Sequence, residues 1–199
     1  DPIVPRDFLT SDILILGNLH PDLQIKTLTQ IKTRPKLTIL DTMNFWIENF
    51  RTSLDKIISM VDVVCINDEE AIMLTGENSI PIAAKEINRM GPKHVIIKKG
   101  EKGASLFSSN QSFFVPSFPI NEVVDPTGAG DSFVGGFASY LAEQEEISFK
   151  EMKLAMIFAC AMASFTIEKF GTENLINIPF KSIQLRVNAI KELINFGNK

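Results

Sequence analysis

Asp131 follows three small residues, Gly128, Ala129 and Gly130, in the stretch VVDPTGAGDSFVGGF (123–137). Two β-branched residues run into Asp125-Pro126, the glycines follow, and an apolar stretch opens at Phe133. That order marks the end of a strand, a tight turn and the start of a helix. The first four N–H groups of a helix have no partner inside it, and the helix dipole adds about half a positive charge there. Glycine and alanine leave such an end sterically open, so a phosphate oxygen can approach the backbone. A carboxylate in this turn has two readings. Asp131 satisfies the dipole as a plain first-turn acid. Beside a bound polyphosphate it would be repelled, unless it serves to take a proton from a hydroxyl that then attacks the terminal phosphoryl group. Spacing removes two other phosphate motifs. There is no G-x-x-x-x-G-K-[ST] loop, and Phe133 stands where a dinucleotide fingerprint needs its third glycine.

Other polar residues stand where apolar runs end: Asp41, Asn67, Lys98-Lys99-Gly100 and Asp125. Taken alone, Asn67-Asp68-Glu69-Glu70 reads as a helix N-cap with an acidic first turn. His20 and His94 have no metal-ligand partner at useful spacing and read as surface residues. Cys65 and Cys160 lie in apolar runs and read as buried thiols in a reducing cytosol.

The elements that must position these groups alternate. Residues 12–17, 36–41, 61–67 and 94–100 read as strands, and helical patterns fall at 21–32, within 46–60, at 68–76 and at 80–90. GASLFSS, SFFVPS and NEVVD read as an antiparallel patch turning at Ser109-Asn110. Helical patterns then carry Phe133, Phe137 and Leu141, next Met152 to Ala163, and last a helix within 182–196. The alternation predicts an α/β fold: a doubly wound, mostly parallel sheet flanked by helices, with ligands beyond the carboxyl ends of the strands. A chain of 199 residues suits one domain, 1–199. The net charge of −4 argues against a general nucleic-acid binder, and no apolar run is long enough for a membrane span.

DPTGAGDSFVGGF resembles the C-terminal signature of the ribokinase-like, or PfkB, carbohydrate kinases, and the resemblance extends over nearly all of the chain. It implies a ribokinase-like fold and an ATP-dependent kinase that phosphorylates a hydroxyl of a sugar, sugar phosphate or nucleoside. By the same resemblance Asp131 is the catalytic base, and Gly128, Ala129 and Gly130 form the anion hole. NDEE (67–70) resembles the family's N-x-x-E motif, which makes Asn67 a nucleotide-binding residue and Glu70 a Mg²⁺ organiser acting through water. KKGEKGA (98–104) resembles T-x-G-x-x-G-A beside the nucleotide. Gly100 and Gly103 match, Lys98 replaces the threonine, and Lys98 or Lys99 is available to phosphate instead. FACAMASFTIEKFG (158–171) resembles the elements around the adenine pocket, with Cys160 where many members have asparagine. LDTMNFW (40–46) resembles the loop after the corresponding strand, placing Asp41 and Asn44 near the phosphates. Some members use a monovalent cation, K⁺, and Asp125 and Thr127 match positions that contribute oxygens to it.

The chain corresponds to the C-terminal two-thirds of such a kinase. The N-terminal third, with a β-lid that forms homodimers in many members, precedes the matched region. Asp1 is not a methionine, so the chain reads as a piece of something longer. The expectation is a cytoplasmic kinase. The alternative is a catalytically silent nucleotide-binding remnant without an acceptor site.

Overall fold

The four runs read as strands at 12–17, 36–41, 61–67 and 94–100 each hold a strand, shorter than the run. The computed structural model describes residues 1–195. It contains β1 (Ile13–Leu16), α1 (Pro21–Gln30), β2 (Leu37–Leu40), α2 (Asn44–Asn49), α3 (Arg51–Ile58), β3 (Val63–Asn67), α4 (Asp68–Thr75), α5 (Ile80–Arg89) and β4 (His94–Lys98). After these come β5 (Ala104–Ser108), β6 (Gln111–Val115), α6 (Ala129–Ala142), α7 (Phe149–Thr166) and α8 (Phe180–Ile194). The six strands lie side by side in chain order. β1, β2 and β3 run parallel, with Ile15 opposite Ile39 and Ile39 opposite Val63. The two-residue link Ser109-Asn110 joins β5 to β6, a connection only antiparallel neighbours can make, and Ser109 takes φ +46° in it. The result is a mostly parallel sheet flanked by helices.

The described residues form two compact units, one of Asp1–Ile97 with Leu106–Ser112, the other of Lys98–Ser105 with the described chain after Ser112. In the first unit β2 and β3 are buried on both faces, which is why their sequences are continuous rather than alternating. Leu40, Val64, Ile66, Val95 and Ile97 pack against Leu54, Ile57 and Ile58 of α3, Ala71 and Leu74 of α4, and Ala83, Ala84 and Ile87 of α5. The single helix expected within 46–60 is two helices. Phe50 leaves helical geometry at φ −134°, ψ 37°, closing α2 and opening α3.

Asp62 ties the amino ends of β2 and β3 together. Its carboxylate accepts the Thr38 N–H at 3.0 Å, the Thr38 hydroxyl at 2.7 Å and the Arg34 guanidinium at 2.8 Å. Burial alone would raise its pKa, but these donors outweigh burial and hold it below the usual carboxylate value of 3.8. His94, next along, is not the surface residue its sequence context suggested. It is half-buried, and its buried Nδ1 has no hydrogen-bond partner. Desolvation pushes its pKa below 6.5, against the attraction of Asp62. Both groups therefore bind protons more readily in the unfolded chain, so stability falls with acid. The His94 contribution is lost as pH drops below about 6.5, and the Asp62 contribution as pH drops below about 3.8. Melting curves of the parent between pH 7.5 and 5 should slope downward, and His94→Gln should flatten that slope while leaving the steeper loss near pH 4.

In the second unit α6 and α7 lie against each other at unusually close range. A Cβ on Gly136 would come within 3.1 Å of Met162 and 3.2 Å of the Ala159 Cα, so the mid-helix glycine is a packing residue. Ala155, Ala159 and Ala161 on α7 are likewise buried. NEVVD (121–125), expected as a strand, is irregular. The N–H groups of Val124 and Asp125 go instead to the carbonyl of Ile167, at 2.8 and 3.4 Å. α8 begins two residues before its expected start, and Phe196, its expected end, lies outside the described residues.

Candidate active site

The glycine turn is built as its composition requires. Gly128 caps α6 with φ +79°, a left-handed conformation that side chains resist, and its carbonyl accepts the Ser132 N–H at 2.9 Å. The Ala129 N–H closes the turn onto Pro126 at 3.2 Å. That leaves the N–H groups of Gly130 and Asp131, on the first turn of α6, without an intrahelical acceptor. Asp131 is exposed at this turn.

Lys98 and Lys99, indistinguishable in sequence, separate in space. A Cβ built on Gly130 would lie 3.2 Å from the Lys98 Nζ, so the ammonium stands directly against the open helix start. The Lys99 ammonium lies 4.6 Å from the centre of the Phe114 ring and is engaged there. Gly100 takes φ +54° with no atom within 4 Å of its Cβ position, an open face a ligand can approach. Gly103 is different. Its Cβ would fall 2.1 Å from the Val115 carbonyl oxygen, so its identity is already demanded by backbone packing. Cys160 is buried on α7, as packing predicts.

Asp125 and Thr127 form a local turn, with the Thr127 N–H donating to the Asp125 Oδ1 at 2.9 Å. That bond, the Thr127 hydroxyl and, weakly, the Gly171 N–H hold the Asp125 carboxyl below its ordinary pKa despite a small opposing effect of desolvation.

In the other unit Asn67 and Glu70 make a reciprocal cap on α4. The Asn67 Oδ1 accepts the Glu70 N–H at 2.7 Å, and the Glu70 Oε2 accepts the Asn67 N–H at 2.8 Å. Glu70 is 7% exposed. A structural role for this pair is thus fully satisfied, with one carboxylate oxygen of Glu70 used in it. Asp41 accepts the Thr42 N–H at 3.1 Å in the loop after β2.

Beside that loop stand three buried polar groups, of which the sequence singled out Asn44 and missed Gln24 and Thr42. The Gln24 Oε1, Thr42 Oγ1 and Asn44 Oδ1 are buried side-chain atoms without a hydrogen-bond partner, all near the carboxyl ends of β1 and β2. Gln24 belongs to no motif, and Thr42, though inside LDTMNFW (40–46), is uncharged, so their burial is what marks them. His20, also read as a surface residue, is half-buried. It caps α1 through Nδ1 and meets Trp46 and Phe50 edge-on, with ring centres at 5.4 and 4.3 Å.

The sequence pattern of pfkB family carbohydrate kinases matches residues 10–179. A cytidine kinase of Thermococcus kodakarensis is 34% identical over 67% of this chain and 49% of its own length, so the chain spans about half of that relative. The crystal structure of a Thermotoga maritima ribokinase superposes on 89% of this chain and 57% of its own with a TM-score of 0.71 at 26% identity. An E. coli protein assigned as ribokinase II, solved with ATP and Mg²⁺, covers 83% of this chain and 53% of its own with a TM-score of 0.68 at 25% identity. No helix among the described residues is long and apolar enough to cross a membrane. With its signature turn, its mostly parallel sheet and a family match over most of its length, this chain belongs to the pfkB family of carbohydrate kinases.

Proposed function

We propose that this chain is the nucleotide-binding and catalytic portion of an ATP-dependent kinase that phosphorylates a hydroxyl of a sugar, sugar phosphate or nucleoside. The observation that carries the reading is the Lys98 ammonium set against Gly130 at the open start of α6, with Asp131 the next residue. A cation beside unpartnered backbone N–H groups is a site for a phosphoryl group, and one acidic side chain at its border is what transfer to a hydroxyl needs.

In this reading the N–H groups of the Gly128–Ala129–Gly130 turn and of Asp131 steady the charge on the transferring group. Lys98 neutralises part of that charge. Asp131 takes the proton from the attacking hydroxyl as its oxygen bonds to phosphorus and the bond to ADP breaks. Gly100 leaves room for the nucleotide, and Gly103 fixes the turn around it. Cys160 contributes shape rather than a polar contact. Mg²⁺, when bound, would offset the charge of the phosphates. Asn67 and Glu70 are the residues assigned to organise it through water, with the reciprocal cap holding their backbone still. Asp125 and Thr127 supply a carboxylate and a hydroxyl, the hard oxygen donors a K⁺ site would use. The enzyme is cytoplasmic in this reading, with Cys65 and Cys160 reduced, and a homodimer is compatible with the family pattern. The relatives whose names mention cytidine, ribose and deoxyribose set the class of acceptor to test.

Lys98→Met and Lys99→Met separate this reading from a merely basic strand end. Lys98→Met should lower kcat/KM for ATP by about 10²-fold, in line with the loss of one electrostatic stabiliser. Lys99→Met should stay within about threefold of the parent, since its cation sits over Phe114. Equal effects of the two substitutions in steady-state assays would remove Lys98 from the site.

A further inference from the structure

One guanidinium far from the turn in sequence connects to it in space. Arg186 of α8 lies with its Cζ 3.5 Å from the centre of the Phe165 ring and 4.5 Å from that of Phe118. Its Nη2 donates to both oxygens of Glu168, at 3.0 and 3.2 Å, and its Nη1 donates to the Ser164 Oγ at 3.0 Å. Asn174 closes the cluster by donating to the Glu168 Oε2 at 3.1 Å and to the Phe165 carbonyl at 2.8 Å. The Arg186 side chain is 13% exposed and that of Glu168 30%. A forked, half-desolvated pair of this kind fixes orientation as well as contributing energy. What it fixes is the end of α7 and the turn beyond it. Ile167 lies between Phe165 and Glu168, and its carbonyl accepts the N–H groups of Val124 and Asp125. Asp125 in turn accepts the Thr127 N–H, and a Cβ on Gly128 would lie 3.9 Å from Thr166.

We propose that Arg186 is a positioning residue for the glycine turn, holding residues 124–131 in register through Glu168 and the Ile167 carbonyl. The Ile167 carbonyl, with a weak contact from the Gly171 N–H to the Asp125 carboxylate, anchors the entry of that segment. Val123 and Val124 are exposed and belong to no strand, so the Ile167 carbonyl is the backbone acceptor that holds Val124 and Asp125 ahead of Pro126. The catalytic consequence rests on the kinase reading above, and the structural consequence does not. A displacement of about 1 Å at the N–H groups facing a transferring phosphoryl group can cost about 10²-fold in rate.

The test is amide hydrogen exchange on the full protein, parent against Arg186→Ala, Arg186→Lys and Glu168→Gln, beside steady-state kinetics. In Arg186→Ala the Val124 and Asp125 amides should exchange about tenfold to a hundredfold faster while the amides of β2 and β3 keep their parent rates. kcat should fall at least about tenfold, with KM for ATP and acceptor within about twofold, and Arg186→Lys should recover only part because an ammonium cannot fork onto Glu168. Unchanged protection of Val124 and Asp125 in the folded variant overturns the proposal, as does faster exchange with kcat intact. Should Arg186→Ala fail to fold, Glu168→Gln reports on the same two amides. A parent without phosphoryl-transfer activity would sink the kinase reading alone, because the amide rates still decide whether the brace exists.

Discussion

Asp131→Asn is expected to lower turnover by about 10²–10⁴, the usual worth of a positioned general base. The substitution keeps the size of the side chain and its place on the first turn of α6, so the helix start stays as it is. An amide cannot take a proton from a hydroxyl at neutral pH. ATP affinity should change little or rise, since one negative charge beside the phosphates disappears. A steady-state assay and a calorimetric ATP titration on the same preparation separate these effects. A variant that binds ATP normally and turns over at the parent rate would reduce Asp131 to a first-turn acid satisfying the helix dipole, the plainer of its two sequence readings.

Gly103→Ala should be the most destabilising single-methyl change in the second unit. Gly103 is buried at φ +88°, ψ −150°, a region of backbone space essentially closed to side chains. The added Cβ would lie 2.1 Å from the Val115 oxygen and 2.8 Å from the Pro116 Cα. Both neighbours are backbone, so neither can rotate away, and the end of β6 would have to move. The expected loss is on the order of 4 kcal/mol, the range reached when strain and overpacking coincide. Gly100→Ala is the internal control. It adopts φ +54° in open space, so only the left-handed penalty of about 1–2 kcal/mol applies. Urea unfolding of the two variants should differ clearly in midpoint. Similar midpoints would mean that β6 does not close on Gly103 as described.

These two positions also show what a sequence can and cannot convey. The glycine turn was legible because its geometry is local: Gly128, Gly130 and Asp131 are neighbours along the chain, and a left-handed residue opening a helix follows from their types. The buried strands were legible from their continuous apolar runs. Gly103 announced itself as a glycine, but whether it served a ligand or a neighbouring backbone depended on Val115, twelve residues on. Lys98 and Lys99 looked equivalent because only their partners, Gly130 and Phe114, distinguish them. NEVVD reads as a strand by composition. It is not one because its hydrogen bonds are claimed by Ile167, a residue 43 positions after Val124 that no local pattern points to. The Arg186–Glu168 brace was invisible for the same reason: an arginine and a glutamate 18 residues apart are commonplace until folding brings them to 3.0 Å. His94 was misjudged because a histidine at the first position of a strand carries no sign of whether water reaches it.

The central claim is that the full protein moves a phosphoryl group from ATP to a hydroxyl. Phosphorus NMR of the full protein with ATP, Mg²⁺ and, in turn, ribose, deoxyribose, fructose and cytidine tests it most directly. A new phosphomonoester resonance is expected with at least one of these acceptors, growing as ADP forms and missing when the acceptor is left out. ATP that binds but yields no phosphomonoester with any of them would contradict it and leave the chain as a silent nucleotide-binding remnant.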